Sequence, residues 1–379
     1  MWLSPPGTTR LMLPLRPAHS RRFSARGAAA FTCRSPLLWY RRMSSSASTS
    51  AVRVSLGTME FGRYATEQQA LPMVQAFLAA GYNELDTALM YAGGETERII
   101  GRLPADVKAQ SVIHTKANPW NTTDAQLKGL SHGSVLRQAD ISLASLQLTP
   151  HPSTPPVDIF YLHAPCTVGT PIEETLRAVD ELHRRGVFRR FGLSNFSSWQ
   201  VVEAYQLCVQ HKYVLPSVYQ GMYNALTRAV EPELFPCLRR LHMAFYAYNP
   251  LAGGILSGKH KFEEPPTEPG RYAGNEWADR YKQRYWKKPI FDSIDHIRAV
   301  LAESEGGSVS VTEASLRWMM HHSGLRDEHG DCVILGASKP EHLYANLKAV
   351  KGGPLDERVV KAFDAAWQEC KAECPPYFR

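Results

Sequence analysis

The chain has 379 residues, of which 44% are hydrophobic and 21% charged, proportions that are ordinary for a soluble globular enzyme. No run approaches about 18 uninterrupted apolar residues, so a membrane span is not expected. The formal net charge of +7 arises in residues 1–50, which hold eight arginines and no acid, and the other 35 basic and 36 acidic residues form a near-neutral body that gives no reason to expect a nucleic-acid partner.

Residues 1–50 have the composition of a targeting segment. They are rich in Arg, Ser, Ala and Pro and lack acids, which is typical of a mitochondrial presequence. Pro14 and Pro17 would interrupt its helix, so a disordered tail is the alternative. Met43 is a candidate internal start for a cytosolic form. Sequencing the N terminus of the mature protein tests import with cleavage, which an intact Met1 would contradict.

After this segment, short apolar strands alternate with helical patterns, and residues 51–379 are predicted to form one domain. The predicted strands are Val52–Gly57, Glu84–Asp86, Ser111–Thr115, Val157–His163, Arg190–Ser194, Val214–Gln220, Met243–Tyr248 and Asp331–Leu335. The helices between and after them are Glu67–Ala80, Glu95–Gly101, His132–Leu146, Ile172–Arg185, Ser198–His211, Glu233–Leu241, Ile290–Glu303 and Pro340–Val350. Eight such units favour an α/β fold of the closed (β/α)8 TIM-barrel type. No Gly-x-Gly-x-x-Gly follows the first strand, which disfavours an open doubly wound sheet.

Several segments exceed the simple repeat. The polar and aromatic stretch Lys259–Pro289 is too long for an ordinary connection and is predicted to serve binding. Extra helices are predicted over Val311–His322 and Leu355–Cys370, followed by a tail, Cys374–Arg379, over the active-site face. Seven cysteines are scattered without CxxC spacing, so neither zinc nor disulfides are expected.

Four polar side chains stand at the ends of three predicted strands. Asp86 and Tyr91 follow the second strand, Lys116 follows the third, and His163 ends the fourth. Active sites of barrels lie at the carboxyl ends of their strands. An ammonium group beside a phenol lowers the phenol's pKa, a carboxylate keeps the ammonium charged, and an imidazole orients a carbonyl. The set predicts protonation of a carbonyl oxygen by Tyr91 while hydride adds to carbon.

One other class of function is compatible with part of this pattern. A Schiff-base aldolase could use Lys116 as its nucleophile, but Asp86 would keep that amine charged. Borohydride trapping of a substrate on Lys116 would support the aldolase. Taken singly, a strand-end Asp or His is more often structural, so the inference depends on their joint occurrence.

The motifs Leu85-Asp86-Thr87-Ala88-x-x-Tyr91, Thr115-Lys116 and Leu162-His163 resemble the catalytic tetrad of aldo-keto reductases. Within that superfamily, Lys116–Trp120, Val218–Asn224, Phe245–Gly254 and Glu373–Arg379 are similar to the aflatoxin B1 aldehyde reductase branch. The resemblance covers residues 52–379. It implies an NADPH-dependent, usually dimeric enzyme that reduces dialdehydes, succinic semialdehyde and other aldehydes. Potassium-channel β subunits share the tetrad, so a regulatory cofactor-binding subunit is the alternative.

The same resemblance implies a cofactor site. Gly192–Phe196 and Tyr219-Gln220 are similar to the nicotinamide-binding positions, Tyr248 would stack on the nicotinamide, and Ser338, Lys339 and His342 would meet the 2′-phosphate at a helix start. Glycines 253 and 254 would let backbone N–H groups approach the pyrophosphate. The implied cofactor-binding residues are Ser194, Asn195, Gln220, Tyr248, Asn249, Pro250, Leu251, Ala252, Gly253, Gly254, Lys259, Arg271, Gly336, Ser338, Lys339, His342 and Asn346.

Substrate contacts are implied less directly. Met59, Trp120 and Tyr223 look like apolar pocket walls beside His163, and Arg379 is similar to a residue that binds a substrate carboxylate. Leu89 departs from the branch, which usually has an aromatic residue there. The segment after Cys166 is longer and less acidic than the branch pattern. Both departures affect the expected substrate range and leave the tetrad unchanged.

Overall fold

Eight parallel strands close into a barrel, with each strand paired to the next along the chain and the last paired to the first. The computed structural model describes residues 52–120, 124–166, 169–267, 270–275, 277–304 and 307–379. The strands β1 to β8 are Arg53–Gly57, Glu84–Asp86, Val112–Ala117, Val157–Leu162, Phe188–Ser194, Pro216–Met222, Ala244–Tyr248 and Cys332–Gly336. The predicted TIM barrel is confirmed. The predicted targeting segment lies outside the described residues and stays a prediction.

Helices surround the barrel and pack against its apolar outer face. In the described residues α1 to α12 are Glu67–Ala79, Glu95–Gly101, Ala105–Gln110, His132–Leu146, Ile172–Arg184, Ser198–His211, Leu234–Arg240, Ala278–Tyr285, Lys288–Ser304, Val311–His321, Pro340–Ala349 and Glu357–Cys370. Side chains at their starts satisfy exposed backbone N–H groups: Thr66 and Ser197 form capping boxes with Gln69 and Gln200. None of the helices in the described part of the chain is both long and apolar enough to cross a bilayer.

The two-residue period of the strands directs alternate side chains into the barrel. Asp86 and Lys116 therefore point inward, whereas Thr115 points outward to the helices. Inside, the floor of the barrel is filled by Ile159, Tyr161, Val218, Ala244, Tyr246, Cys332 and Ile334. Gly192 is required at this level, because a Cβ atom there would lie 2.3 Å from the Tyr161 ring. These side chains fill one end of the barrel, so its open end is the one formed by the carboxyl ends of the strands.

Two helices were not predicted. Ala105–Gln110 is only six residues long, too short to display a helical period. Ala278–Tyr285 lies within the long stretch after β7 and buries two tyrosines, Tyr281 and Tyr285, one turn apart. Half of its eight residues are charged, so the two tyrosines alone did not give a recognisable pattern. The stretch expected to be a binding loop is therefore partly helical.

Candidate active site

A buried ammonium group lies at the centre of the open end of the barrel. Lys116 on β3 is fully buried and donates hydrogen bonds of 2.7 Å to Asp86 Oδ2 and 2.7 Å to the Thr87 carbonyl. Burial lowers the Lys116 pKa, and the adjacent Asp86 carboxylate opposes that effect. The other Asp86 oxygen, Oδ1, accepts a hydrogen bond of 2.8 Å from Gln220 Nε2. Both carboxylate oxygens of Asp86 thus accept hydrogen bonds, and Asp86 and Lys116 hold each other in place.

Tyr91 begins the short 3₁₀ segment Tyr91–Gly94 after β2 and lines the cleft above Lys116. The Lys116 Nζ atom is 5.1 Å from the centre of the Tyr91 ring. Burial raises the pKa of Tyr91 well above its usual value, Asp86 raises it further, and Arg379 lowers it. This differs from the expected lowering by Lys116, because burial dominates and the ammonium charge is largely balanced by Asp86. Tyr91 therefore remains a protonated phenol.

His163 follows β4 directly and faces Tyr91. Their ring centres are 5.9 Å apart at an interplanar angle of 79°, and the Trp120 ring lies 5.3 Å from the imidazole. Burial lowers the His163 pKa well below its usual value, and Lys116 and Arg379 lower it further. The ring is therefore neutral near pH 7 and carries a single N–H. Its Nδ1 atom is buried and has no hydrogen-bond partner within the described ranges.

A cleft of about 1230 Å³ extends from this group across the mouth of the barrel. It contains most of the residues named from the sequence. The predicted residues that line it are Met59, Asp86, Tyr91, Trp120, His163, Ser194, Asn195, Gln220, Tyr248, Asn249, Pro250, Leu251, Gly253, Gly254, Lys259, Arg271, Gly336, Ser338, Lys339, His342, Asn346 and Arg379. Lys116 lies directly beneath them. No cluster of three or more potential metal ligands occurs in the described part of the chain.

Polar side chains beside His163 are fixed by one another. Asn195 Nδ2 donates to the His163 carbonyl at 2.8 Å and to Ser194 Oγ at 3.0 Å. The Tyr248 hydroxyl donates to Asn195 Oδ1 at 2.7 Å. These bonds connect the ends of β4, β5 and β7 on one wall of the cleft. The Tyr248 ring is thereby fixed at the cleft surface.

The turn after β7 brings backbone to the cleft surface. Gly253 has φ +68° and Gly254 has φ +95°, values that residues with a Cβ atom rarely adopt. A Cβ atom on Gly253 would also lie 2.7 Å from the Tyr281 ring. Glycine at 253 is therefore required both by its backbone conformation and by the close approach of α8.

A basic cluster closes one end of the cleft. Lys339 is the residue before α11, and His342 lies in the first turn with its Nδ1 atom 3.3 Å from Ser338 Oγ. Burial lowers the His342 pKa, and both Lys259 and Lys339 lower it further. The turn after β7 and the start of α11 thus place the ammonium groups of Lys259 and Lys339 near His342. That arrangement suits an anion.

The segment after β7 is tied across the mouth of the barrel. Arg271 forms an ion pair with the buried carboxylate of Glu60, which follows β1, and donates to the Tyr281 hydroxyl at 2.7 Å. Arg63, also after β1, donates to Asn275 Oδ1 at 3.3 Å. These contacts hold the segment over the cleft. Tyr281 supports the Arg271 guanidinium at 4.9 Å from its ring centre.

The C-terminal tail reaches the site. The Arg379 backbone N–H donates to the Asn195 carbonyl at 3.0 Å, and its guanidinium lies 5.4 Å from the centre of the Trp120 ring. Tyr377 is buried and pairs with the Ser198 hydroxyl at 2.7 Å. The tail is therefore anchored two residues before its end, and the Arg379 side chain enters the cleft beside Trp120.

Two residues predicted to contact ligands do not line the cleft. Tyr223 is fully buried among the helices, where its hydroxyl donates to Glu231 at 2.6 Å and accepts from the Gly324 N–H at 2.8 Å. It lies just beyond β6 and turns outward, so it is a core residue and not a substrate wall. Ala252 is also fully buried, and its carbonyl accepts from the Tyr272 hydroxyl at 3.1 Å. Its side chain lies behind the glycine turn.

Several residues that line the cleft were not predicted from the sequence. Trp277, Arg280, Tyr281 and Arg284 line the cleft from α8 and the residue before it. The alternation of arginines and aromatic residues within Lys259–Pro289 was the available signal. Helical spacing, which was not recognised there, directs Arg280 and Arg284 to the same side.

Comparisons with known proteins identify the family of this chain. The profile of the Aldo/keto reductase family matches residues 53–368. The chain is 49% identical over 330 residues to human aflatoxin B1 aldehyde reductase member 2, covering 86% of this chain and 89% of the relative. It is 46% identical over 330 residues to human aldo-keto reductase family 7 member A3, covering 86% and 96%. It is 35% identical over 331 residues to aldo-keto reductase pigE of Monascus ruber, covering 86% and 94%. The chain therefore belongs to the aldo/keto reductase family.

Proposed function

We propose that this oxidoreductase reduces aldehydes to alcohols with NADPH as the reductant. NADPH, when bound, supplies the hydride. The observation that carries the proposal is the neutral Tyr91 phenol at the cleft surface above the buried Lys116–Asp86 pair. The relatives named as aldehyde reductases support the same reaction class. Turnover of an aldehyde with NADPH tests it, and tight cofactor binding without turnover would favour the channel-subunit alternative.

The chain's own part of the chemistry is the movement of one proton. Tyr91 remains protonated in the buried site and is the proposed donor to the carbonyl oxygen. Donation leaves a phenolate, which the Lys116 ammonium stabilises, and Asp86 keeps that ammonium in place. The neutral His163 imidazole is proposed to donate its N–H to the same oxygen and so orient the substrate. The Lys116–Asp86 pair also opposes Schiff-base chemistry, which needs a neutral amine.

The cleft fits a dinucleotide that carries an additional phosphate. Its length joins the Tyr91 region to the cluster of Lys259, Ser338, Lys339 and His342. We propose that these residues hold the 2′-phosphate, the glycine turn the pyrophosphate, and Ser194, Asn195, Gln220 and Tyr248 the nicotinamide. Two lysines at one point favour NADPH over NADH, because NADH lacks the dianionic group.

Replacing Lys339 by alanine is expected to narrow the preference for NADPH. A charge-assisted hydrogen bond contributes about 1.5 kcal/mol, so the NADPH Kd should rise roughly tenfold while the NADH Kd is unchanged. Fluorescence titration with each cofactor measures the ratio of the NADH Kd to the NADPH Kd. Lys361→Ala is the matched control, since Lys361 is exposed on α12 and pairs with Glu357. An unchanged ratio in Lys339→Ala would place the 2′-phosphate elsewhere.

We propose that Arg379 binds a carboxylate on the substrate. Its guanidinium beside Trp120 and the tail anchored at Tyr377 support this role. Arg379→Gln is expected to raise KM for succinic semialdehyde roughly tenfold or more, because the lost interaction is charge-assisted. An uncharged aldehyde of similar size serves as the control substrate, and its KM should not change. Equal effects on both substrates would remove Arg379 from carboxylate binding.

Two further proposals concern the setting of the enzyme. Residues 1–50 are proposed to direct mitochondrial import, with a cytosolic form starting at Met43, and an intact Met1 in purified organelles would contradict this.

A homodimer is proposed from the resemblance to the aldehyde reductase branch. Exposed apolar side chains on α6 support self-association, since Trp199 is 65% and Val209 50% exposed. Light scattering that gives a monomer mass would contradict it.

A further inference from the structure

A second buried carboxylate lies behind the strand that carries Lys116. Glu97 on α2 is fully buried, and its Oε1 atom accepts a hydrogen bond from the Thr115 hydroxyl. Thr115 and Lys116 are neighbours on β3 and point to opposite faces of the barrel wall. Glu97 therefore reaches the outer face of the strand at the level where Lys116 meets Asp86 inside.

The position of this carboxylate is fixed by packing. α2 begins at Glu95, four residues after Tyr91, and lies against α4. A Cβ atom on Gly101, at the end of α2, would lie 2.1 Å from the Ser145 carbonyl on α4. The two helices are in such close contact that α2 cannot move toward α4. Glu97 thus connects the segment that carries Tyr91 to the strand that carries Lys116.

Glu97 and Lys116 act on each other electrostatically. Burial raises the pKa of Glu97 to about 7, while Thr115, Ser142 and the Lys116 charge oppose that rise. In turn, Glu97 opposes the lowering of the Lys116 pKa by burial, as Asp86 does from inside the barrel.

The groups that face Glu97 come from three elements. β3 contributes Lys116 and the Thr115 hydroxyl, and α4 contributes the Ser142 hydroxyl. On α2 itself, Glu95 and Arg98 pair with each other at the surface. The carboxylate oxygen Oε2 is buried and has no hydrogen-bond partner in the described ranges. A buried oxygen without a partner favours the protonated form, so the charge on Glu97 changes near neutral pH.

We propose that Glu97 is a positioning residue that holds Lys116 as an ammonium from behind the strand, so that the charge beneath Tyr91 depends on the ionisation of Glu97. This inference rests on the proposed function, in which the Lys116 ammonium stabilises the Tyr91 phenolate. Ionised Glu97 keeps Lys116 charged as pH rises. Protonated Glu97 gives no such support, and Asp86 alone then holds the ammonium.

The test compares wild type with Glu97→Gln across pH. Below about pH 7 the wild-type side chain is neutral, as glutamine is, so the two values of kcat/KM should coincide. Above it, kcat/KM of Glu97→Gln should fall about tenfold below the wild-type value, because only the wild type then has an ionised Glu97 to support the Lys116 charge. Glu95→Gln on the same helix is the matched control and should keep the wild-type profile. If kcat/KM of Glu97→Gln is lower than the wild-type value by the same factor at every pH, or is not lower at any pH, the proposal is overturned.

A second variant and a second readout guard against misfolding of Glu97→Gln. Thr115→Val removes the bond that lowers the Glu97 pKa, so its ionisation should move to higher pH, and an unchanged profile would overturn the proposal.

The pH dependence of thermal unfolding reports the ionisation of Glu97 without an activity measurement. The pKa of Glu97 is 4.5 in the unfolded chain and about 7 in the folded protein. The stability contributed by protonated Glu97 is therefore full below pH 4.5 and is lost as the pH rises through about 7. Wild type should lose Tm relative to Glu97→Gln over that range, and an unchanged difference would contradict ionisation of Glu97.

The outcomes separate this inference from the proposed function. If the wild type binds NADPH and reduces no aldehyde, the proposed function fails. If Tyr91→Phe is inactive and the Glu97→Gln ratio is independent of pH, only the role of Glu97 fails.

Discussion

Replacing Tyr91 by phenylalanine is expected to lower kcat for aldehyde reduction by about two orders of magnitude or more, the usual scale of general acid catalysis. The substitution removes one oxygen and keeps the ring that packs against His163. NADPH binding should be unchanged, because the ring and the Lys116–Asp86 pair remain. Stopped-flow reduction with saturating NADPH measures the step.

The control for this variant is Tyr344→Phe, the same substitution at an exposed tyrosine on α11. It should leave turnover at the wild-type value. Near-normal turnover of Tyr91→Phe would remove Tyr91 from the role of proton donor.

Replacing Lys116 by methionine is expected to destabilise the fold by about 3–5 kcal/mol, because Asp86 would remain buried without its partner. Lys116 is fully buried, and Asp86 keeps its other bond, to Gln220. Urea unfolding of the wild type and the variant measures the difference. The double variant Lys116→Met with Asp86→Asn should recover much of the loss, since no unpaired charge is left.

The double variant should remain inactive even where stability returns, because the cation beneath Tyr91 is missing. A single variant that loses less than about 1 kcal/mol would show that solvent reaches Asp86 and that the pair is weakly coupled. The stability and activity readouts thus separate the structural and electrostatic parts of the Lys116–Asp86 contact.

Much of the fold was predictable because its signals are local. Most strands are short apolar runs and each large helix has a clear period, so their alternation along the chain predicted the eight units of the barrel. Predicted and observed strands agree to within a few residues, as for β4, predicted at Val157–His163 and found at Val157–Leu162. The closing pair β1–β8 follows from the count and the parallel direction of the strands.

Other features depend on contacts that are distant in sequence. Tyr223 and Ala252 lie within motifs that border the cleft, but their side chains point away from it, and this direction depends on where β6 and the glycine turn end. The ion pair between Glu60 and Arg271 joins residues more than 200 positions apart. The Tyr91 pKa also depends on the depth of burial, which no motif encodes.

The most direct test of the proposed function is oxidation of NADPH by the purified enzyme with succinic semialdehyde and with an uncharged aldehyde of similar size. We expect loss of NADPH with formation of one equivalent of alcohol from both aldehydes, and a lower KM for the carboxylated substrate. Tight binding of NADPH with reduction of neither aldehyde would contradict the proposed function.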